Sequence, residues 1–118
     1  MWRDFTFVED LVAATVAITA RFPEMGKPVV GESLSAVAPY RVLNIGGGRS
    51  TELMDFIASL ERAMGIEARL NMMPMRPGDV VATEADTRLL QAIVGELPVT
   101  PLDEGINQCV AWFNQNAS

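Results

Sequence analysis

The chain has 118 residues, 49% of them apolar and 20% charged, which fits one globular domain spanning 1–118 and excludes collagen-like or disordered sequence. Fifteen acidic against nine basic residues leave a net charge of −6, and the arginines stand one at a time, so the dense basic patch that a nucleic-acid partner needs is missing. Histidine is absent and Cys109 is the only cysteine, which excludes imidazole-based zinc sites, nucleophile–histidine relays and a disulfide framework, and makes the cytoplasm the expected compartment.

In chain order, Thr6 followed by Glu9 has capping-box spacing, and Leu11, Val12, Thr15, Ile18 and Phe22 recur as on a helix that Pro23 ends. The apolar run 11–20 is too short to cross a bilayer, which takes about twenty residues, and the acids and arginine of the first ten positions do not suit a secretory leader. From Pro23 to Pro39 prolines and glycines without periodicity predict a surface loop. Arg41 to Ile45, leading into Gly46-Gly47-Gly48, reads as a strand entering a glycine turn. Leu53, Phe56, Ile57, Leu60 and Met64 mark a helical stripe that Gly65 closes.

Ile66 to Met72 alternates like a half-exposed strand, so strand–helix–strand predicts a βαβ unit with parallel strands. Asp86 is placed to cap a helix through Leu89, Leu90 and Ile93 that stops at Gly95, and Thr100-Pro101 to start a last helix with the stripe Leu102, Ile106, Cys109, Val110 and Phe113. On that stripe Cys109 reads as a buried, inert thiol. The expected class is α/β: a short, mostly parallel sheet with three to four helices.

Chemistry-bearing residues are sparse. The turn at 46–51, between a strand and a helix, is either a plain turn or an anion-facing one that assists another site. It lacks the lysine of a nucleotide-triphosphate loop and the third glycine of a dinucleotide fingerprint. Arg3 and Asp4 read as a solvated pair, and Asn44 as a turn-former or a polar contact near the glycines. Arg76-Pro77-Gly78-Asp79 sets an arginine and a carboxylate on a stiffened turn after a strand, where open α/β sheets bind ligands. Tyr40 and Lys27, the only tyrosine and the only lysine, cannot form a tyrosine–lysine pair one helical turn apart, so no catalytic constellation assembles. The pairs Glu9-Asp10 and Asp103-Glu104 sit where helix first turns favour negative charge.

Together, "RDFTFVEDLV" (3–12), "YRVLNIGGGRSTELMDFI" (40–57), "MPMRPGDVVATEADTRLL" (73–90) and "TPLDEGINQCVAWF" (100–113) resemble, in order, the C-terminal part of the NAD-dependent nucleotide-sugar epimerases and dehydratases of the extended short-chain dehydrogenase class, nearest to the UDP-glucuronate 4-epimerase branch. The triple glycine departs from the Asn or Ser that usually follows "NIG" there. The resemblance implies a small C-terminal lobe without the Rossmann domain. It assigns Arg3 and Arg76 to the pyrophosphate of a UDP-sugar, Asp79 to the ribose hydroxyls and Asn44 to the neighbourhood of the phosphates. NAD and the catalytic tyrosine–lysine pair would then belong to a missing N-terminal Rossmann domain; this chain would carry no catalytic, cofactor or metal residue, would not turn over alone, and could pair as a homodimer through its exposed interdomain face. Two other readings stay open: a stand-alone nucleotide-sugar-binding or interaction module, and a fragment of a nucleotide-sugar 4,6-dehydratase.

Overall fold

The computed structural model describes residues 1–31 and 39–117. Their elements are β1 (Trp2–Asp4), α1 (Val8–Thr19), β2 (Ser50–Glu52), α2 (Leu53–Met64), α3 (Arg88–Val94) and α4 (Leu102–Asn116), a small α/β lobe with four helices among the described residues. α2 ends as its sequence predicts: Gly65 takes the left-handed conformation at φ 67° and its N–H donates to the Glu61 carbonyl at 2.8 Å. At the start of α3 the Asp86 carboxylate accepts from the Arg88 N–H at 3.1 Å, and Gly95 lies just beyond its last turn.

The sheet differs from the expectation. β1 and β2 pair antiparallel, with Arg3 opposite Thr51, and 81–83 docks on the other edge of β1 through one parallel bridge, Trp2 with Ala82. Trp2 N–H donates to the Val81 carbonyl (2.9 Å) and Thr83 N–H to the Trp2 carbonyl (3.2 Å). Both edges of β1 are therefore taken. The parallel pair expected at 41–45 and 66–72 does not form: neither segment carries a strand, and Ile66 and Met72 lie 63% and 79% exposed, so alternation there has no ladder to join. The described part of the predicted loop at 23–39 is irregular and mostly exposed; 32–38 lie outside the described residues.

Two predicted caps have been redirected. The Thr6 hydroxyl accepts from the Gly47 N–H at 3.2 Å instead of capping α1, whose N-cap is Phe7. Thr100 donates its N–H (2.7 Å) and hydroxyl (2.8 Å) to the Asp10 carboxylate, tying the first turn of α1 to the entry of α4.

α2 packs on α4 and α1 on α3. Phe5 stacks on Phe56 with centroids 4.1 Å apart, and Phe7 lies so close to Gly105 that a Cβ there would meet its ring at 3.2 Å. The apolar core is thin: among the described residues Ala14, Leu90, Ile106 and Val110 are buried. Cys109, expected to be buried, is exposed, because the face of α4 that it shares looks into an open apolar slot beside Phe5 and Phe56. Accessible surface totals 8848 Å², against about 6,300 Å² for a folded monomer of this mass. The radius of gyration is 18.0 Å, where a compact domain of this length has about 13–14 Å. Much of the excess is apolar: Val8, Val12 and Val16, one face of α1, are all more than half exposed.

Asp103 locks α2 to α4, accepting from the Ser59 hydroxyl and from Arg62 Nη2 (2.9 Å). The hydrogen bond from Ser59 and then that from Arg62 hold its carboxyl below the ordinary 3.8. A carboxyl depressed in this way contributes stability above its ordinary value and loses it as the pH falls through its folded value. Asp103→Asn is expected to melt at a lower temperature than the parent chain at neutral pH, with the gap closing as the solution is acidified below that range. Thermal melts followed by circular dichroism across pH check this, and a gap that persists in acid would contradict it.

Candidate functional site

The candidate site is organised by Asp4. Its Oδ1 accepts from the Gly47 N–H (3.0 Å), and its Oδ2 from the N–H groups of Gly48 (3.0 Å) and Ala85 (3.1 Å). Three donors on one part-buried carboxylate are charge-assisted bonds of the stronger kind. Asp4 is thus no member of a solvated pair with Arg3, and the amides of the glycine turn face an anion that the chain itself supplies. The glycines follow from that approach. A Cβ on Gly46 would lie 2.5 Å from Ala85 Cβ and 2.8 Å from Asp4 Oδ2, and one on Gly47 would lie 3.0 Å from Asp4 Oδ1.

Successive residues of an extended segment face opposite sides, and the first strand uses both. Asp4 and Thr6 reach the glycine turn, while Phe5 and Phe7 pack toward α2 and α4. Arg3 shares the parity of Phe5 and Phe7, and its Nη1 donates to the Trp2 carbonyl at 2.8 Å. That oxygen also accepts from Thr83 N–H, so the Arg3 guanidinium sits at the junction between β1 and 81–83.

The turn at 76–79 leads into that same edge. Asp79 N–H donates to the Arg76 carbonyl at 3.1 Å, and Gly78 adopts φ +93°, the geometry of a type II turn with proline and glycine in the two central places. No described hydrogen bond or ion pair engages the side chains of Arg76 and Asp79, and both residues are exposed. Asp79 stands two residues before Val81, at most about 7 Å of chain from the ladder. The parallel bridge of Trp2 with Ala82 sets Asp79 three positions before the partner of Trp2, so it is Arg3 and the segment following the turn that are gathered at one sheet edge. Asn44 is not: it lines an open depression with Asp4, Thr6, Gly46, Thr83 and Glu84, on the Asp4 side of β1.

The sequence reading missed Asp4, Thr6 and Asp10. A carboxylate and a hydroxyl two residues apart, ahead of a glycine-rich turn that needs acceptors, were the available signal. Elsewhere Arg88 donates three side-chain hydrogen bonds to Asp86, and these hold that exposed carboxyl at about 2; the pair marks the start of α3.

No family model matches the chain. It is 42% identical over 120 residues to a probable UDP-glucuronate 4-epimerase of Rhizobium meliloti, covering 98% of this chain and 35% of that protein. With UDP-glucuronate 4-epimerase 4 of Arabidopsis thaliana it shares 32% over 113 residues, covering 94% of this chain and 25% of that protein. The structure superposes on UDP-glucuronic acid 4-epimerase from Bacillus cereus, solved with UDP-glucuronic acid and NAD, with a TM-score of 0.72 and 29% identity over 97% of this chain and 32% of the other. The chain is homologous to the C-terminal part of NAD-dependent epimerases and dehydratases. It spans about a third of the length of the first curated relatives it matches. UDP-glucose 4-epimerase from Bifidobacterium longum, at 22% identity and a TM-score of 0.76, shares the fold of this lobe of the extended short-chain dehydrogenases.

The crowding at Gly46 gives a direct test. Gly46→Ala must displace Ala85 or the Asp4 carboxylate, and overpacking of this kind costs about 1–3 kcal/mol. Gly46→Ala is expected to lower the urea midpoint accordingly. An unchanged midpoint would show that the contact is looser than the geometry requires.

Proposed function

We propose that this chain is the nucleotide-sugar-binding part of an NAD-dependent sugar-nucleotide epimerase of the UDP-glucuronate 4-epimerase type. The observation that carries the reading is the Trp2 carbonyl, which holds the Arg3 guanidinium and the strand segment following the Arg76–Asp79 turn at one edge. Homology to UDP-glucuronate 4-epimerases over nearly the whole chain supports it. Arg3 and Arg76 are the pyrophosphate contacts. Guanidinium–phosphate bonds are charge-assisted and bidentate where geometry allows, each worth about 1.5–3 kcal/mol. Asp79, a poor neighbour for phosphate but a good acceptor from vicinal hydroxyls, holds the ribose. The Pro77-Gly78 turn fixes the spacing between the two functions and lowers the ordering cost of binding. Asn44, which lines the depression on the Asp4 side of β1, stands outside the diphosphate clamp.

The reaction would be reversible oxidation at a sugar carbon followed by hydride return to its other face. The dinucleotide supplies that hydride chemistry. Among the described residues the glycine turn ahead of β2 does not fit the dinucleotide, because its Gly47 and Gly48 N–H groups are engaged by Asp4. A Rossmann domain covering the apolar face of α1 is the complement that the excess surface calls for. This chain's contribution is binding and orientation, and alone it is expected to give no turnover with NAD and UDP-glucuronate.

Calorimetric titration separates the roles. Arg76→Ala is expected to weaken UDP and inorganic pyrophosphate alike, by about tenfold or more. Asp79→Ala is expected to weaken UDP and leave pyrophosphate unchanged. Equal UDP affinity in the parent chain and both variants would overturn the assignment.

A further inference from the structure

The placement of Arg3 beside the segment that follows the Arg76–Asp79 turn depends on how β1 is held, and β1 is three residues long. A ladder that short does not persist through its own hydrogen bonds, since even a whole two-stranded hairpin is marginal in water. Something else must fix its register, and next to Arg3 stands a carboxylate that reaches three separate backbone amides. Those amides lie on both flanks. Gly47 and Gly48 stand three and two residues ahead of Ser50, where β2 begins, and Ala85 follows the 81–83 segment by two residues. One side chain on the central strand thus clamps the approach to one neighbour and the exit from the other.

We propose that Asp4 is the positioning residue of the nucleotide-binding face. Its carboxylate occupies the glycine turn as an internal anion, which keeps phosphate out of that turn, and by pinning 85 and 47–48 to β1 it sets the register in which Arg3 meets the segment leading from Arg76 and Asp79. The inference rests on the reading of those three residues as nucleotide contacts, and it makes two claims beyond it. The glycine turn is not a phosphate subsite, and a residue that touches no ligand governs affinity through the strand that carries Arg3.

The position of Arg3 in the ladder supports this. Its side chain points away from Asp4, toward the face of Phe5, so loss of the Asp4 carboxylate removes no atom from the clamp. Any effect on binding has to travel through register. The glycines support it too, because Gly46 and Gly47 admit no Cβ without moving Asp4 or Ala85. The turn is shaped to the carboxylate it already holds.

The test compares the whole chain with Asp4→Ala, Asp4→Asn and, as a control for simple destabilisation, Asp103→Asn, which loosens α2 from α4 without removing an atom of this ladder. At a temperature where circular dichroism shows every protein folded, Asp4→Asn is expected to bind UDP about tenfold more weakly than the parent chain, while Asp103→Asn binds as the parent does. Formate, a carboxylate small enough to enter the vacated turn, is expected to restore UDP affinity to Asp4→Ala and to leave the parent unchanged. Where Asp4→Ala does not fold even with formate, Asp4→Asn carries the comparison. Unchanged affinity in a folded Asp4→Asn overturns the proposal, as does an equal loss in Asp103→Asn.

Amide hydrogen exchange reads the same claim without any nucleotide. In Asp4→Asn, exchange is expected to accelerate at Trp2 and Thr83, the two amides of the parallel bridge, as well as at Gly47, Gly48 and Ala85. Acceleration confined to the last three overturns the proposal whatever UDP does. A parent chain that fails to bind UDP, with Trp2 and Thr83 accelerated as expected, would refute the nucleotide reading and keep the positioning role.

Discussion

Much of this lobe is arranged around one part-buried electrostatic contact, the Asp4 carboxylate with the amides of Gly47, Gly48 and Ala85. A carboxylate taken from water costs several kcal/mol unless its lone pairs are satisfied, and three N–H donors meet that requirement. The same contact answers the orphan amides of a turn whose glycines could not otherwise be brought so near another backbone. It joins pieces that are far apart in sequence, the N-terminal strand, the turn before α2 and the segment before α3. Asp10 with Thr100 and Asp103 with Ser59 and Arg62 extend the same logic: short-range carboxylate contacts tie helices together where apolar burial is scarce.

Scarcity of burial is itself informative. A lobe with four buried apolar side chains among its described residues and about 40% more surface than its mass calls for has much of its hydrophobic stabilisation still to be realised. The face of α1 that carries Val8, Val12 and Val16 is apolar yet more than half exposed. The first curated relatives that the chain matches are about three times as long.

The helices were legible because their signals are local. The stripe from Leu53 to Met64 closed by Gly65, Asp86 ahead of Arg88, and Pro101 ahead of Leu102 each place an element within a residue or two. The strands were not. β1 and β2 have three residues each, too few to display alternation, and they pair across some fifty positions of intervening chain. The segment 66–72 does alternate, yet neither it nor 41–45 carries a strand, and β1 has no edge left for them. Of the candidate site, the turn at 76–79 was legible as a turn, since Pro77 and Gly78 dictate their own geometry, but the strand expected ahead of it does not form. The motif "RDFTF" was legible as a resemblance but not as a mechanism: Asp4, Phe5, Thr6 and Phe7 are engaged within the fold, and Arg3 is the member whose charge, among the described residues, meets a backbone carbonyl.

The physical claim beneath this account is that the diphosphate meets the Arg3 edge of β1 and not the glycine turn. Backbone amide shifts recorded during a UDP titration of the chain test it most directly. The account predicts shifts concentrated at Trp2, Arg3 and the stretch from Arg76 to Val81, with Gly47 and Gly48 undisturbed. Shifts centred on Gly46 to Gly48, with the Arg76–Asp79 turn silent, would contradict it.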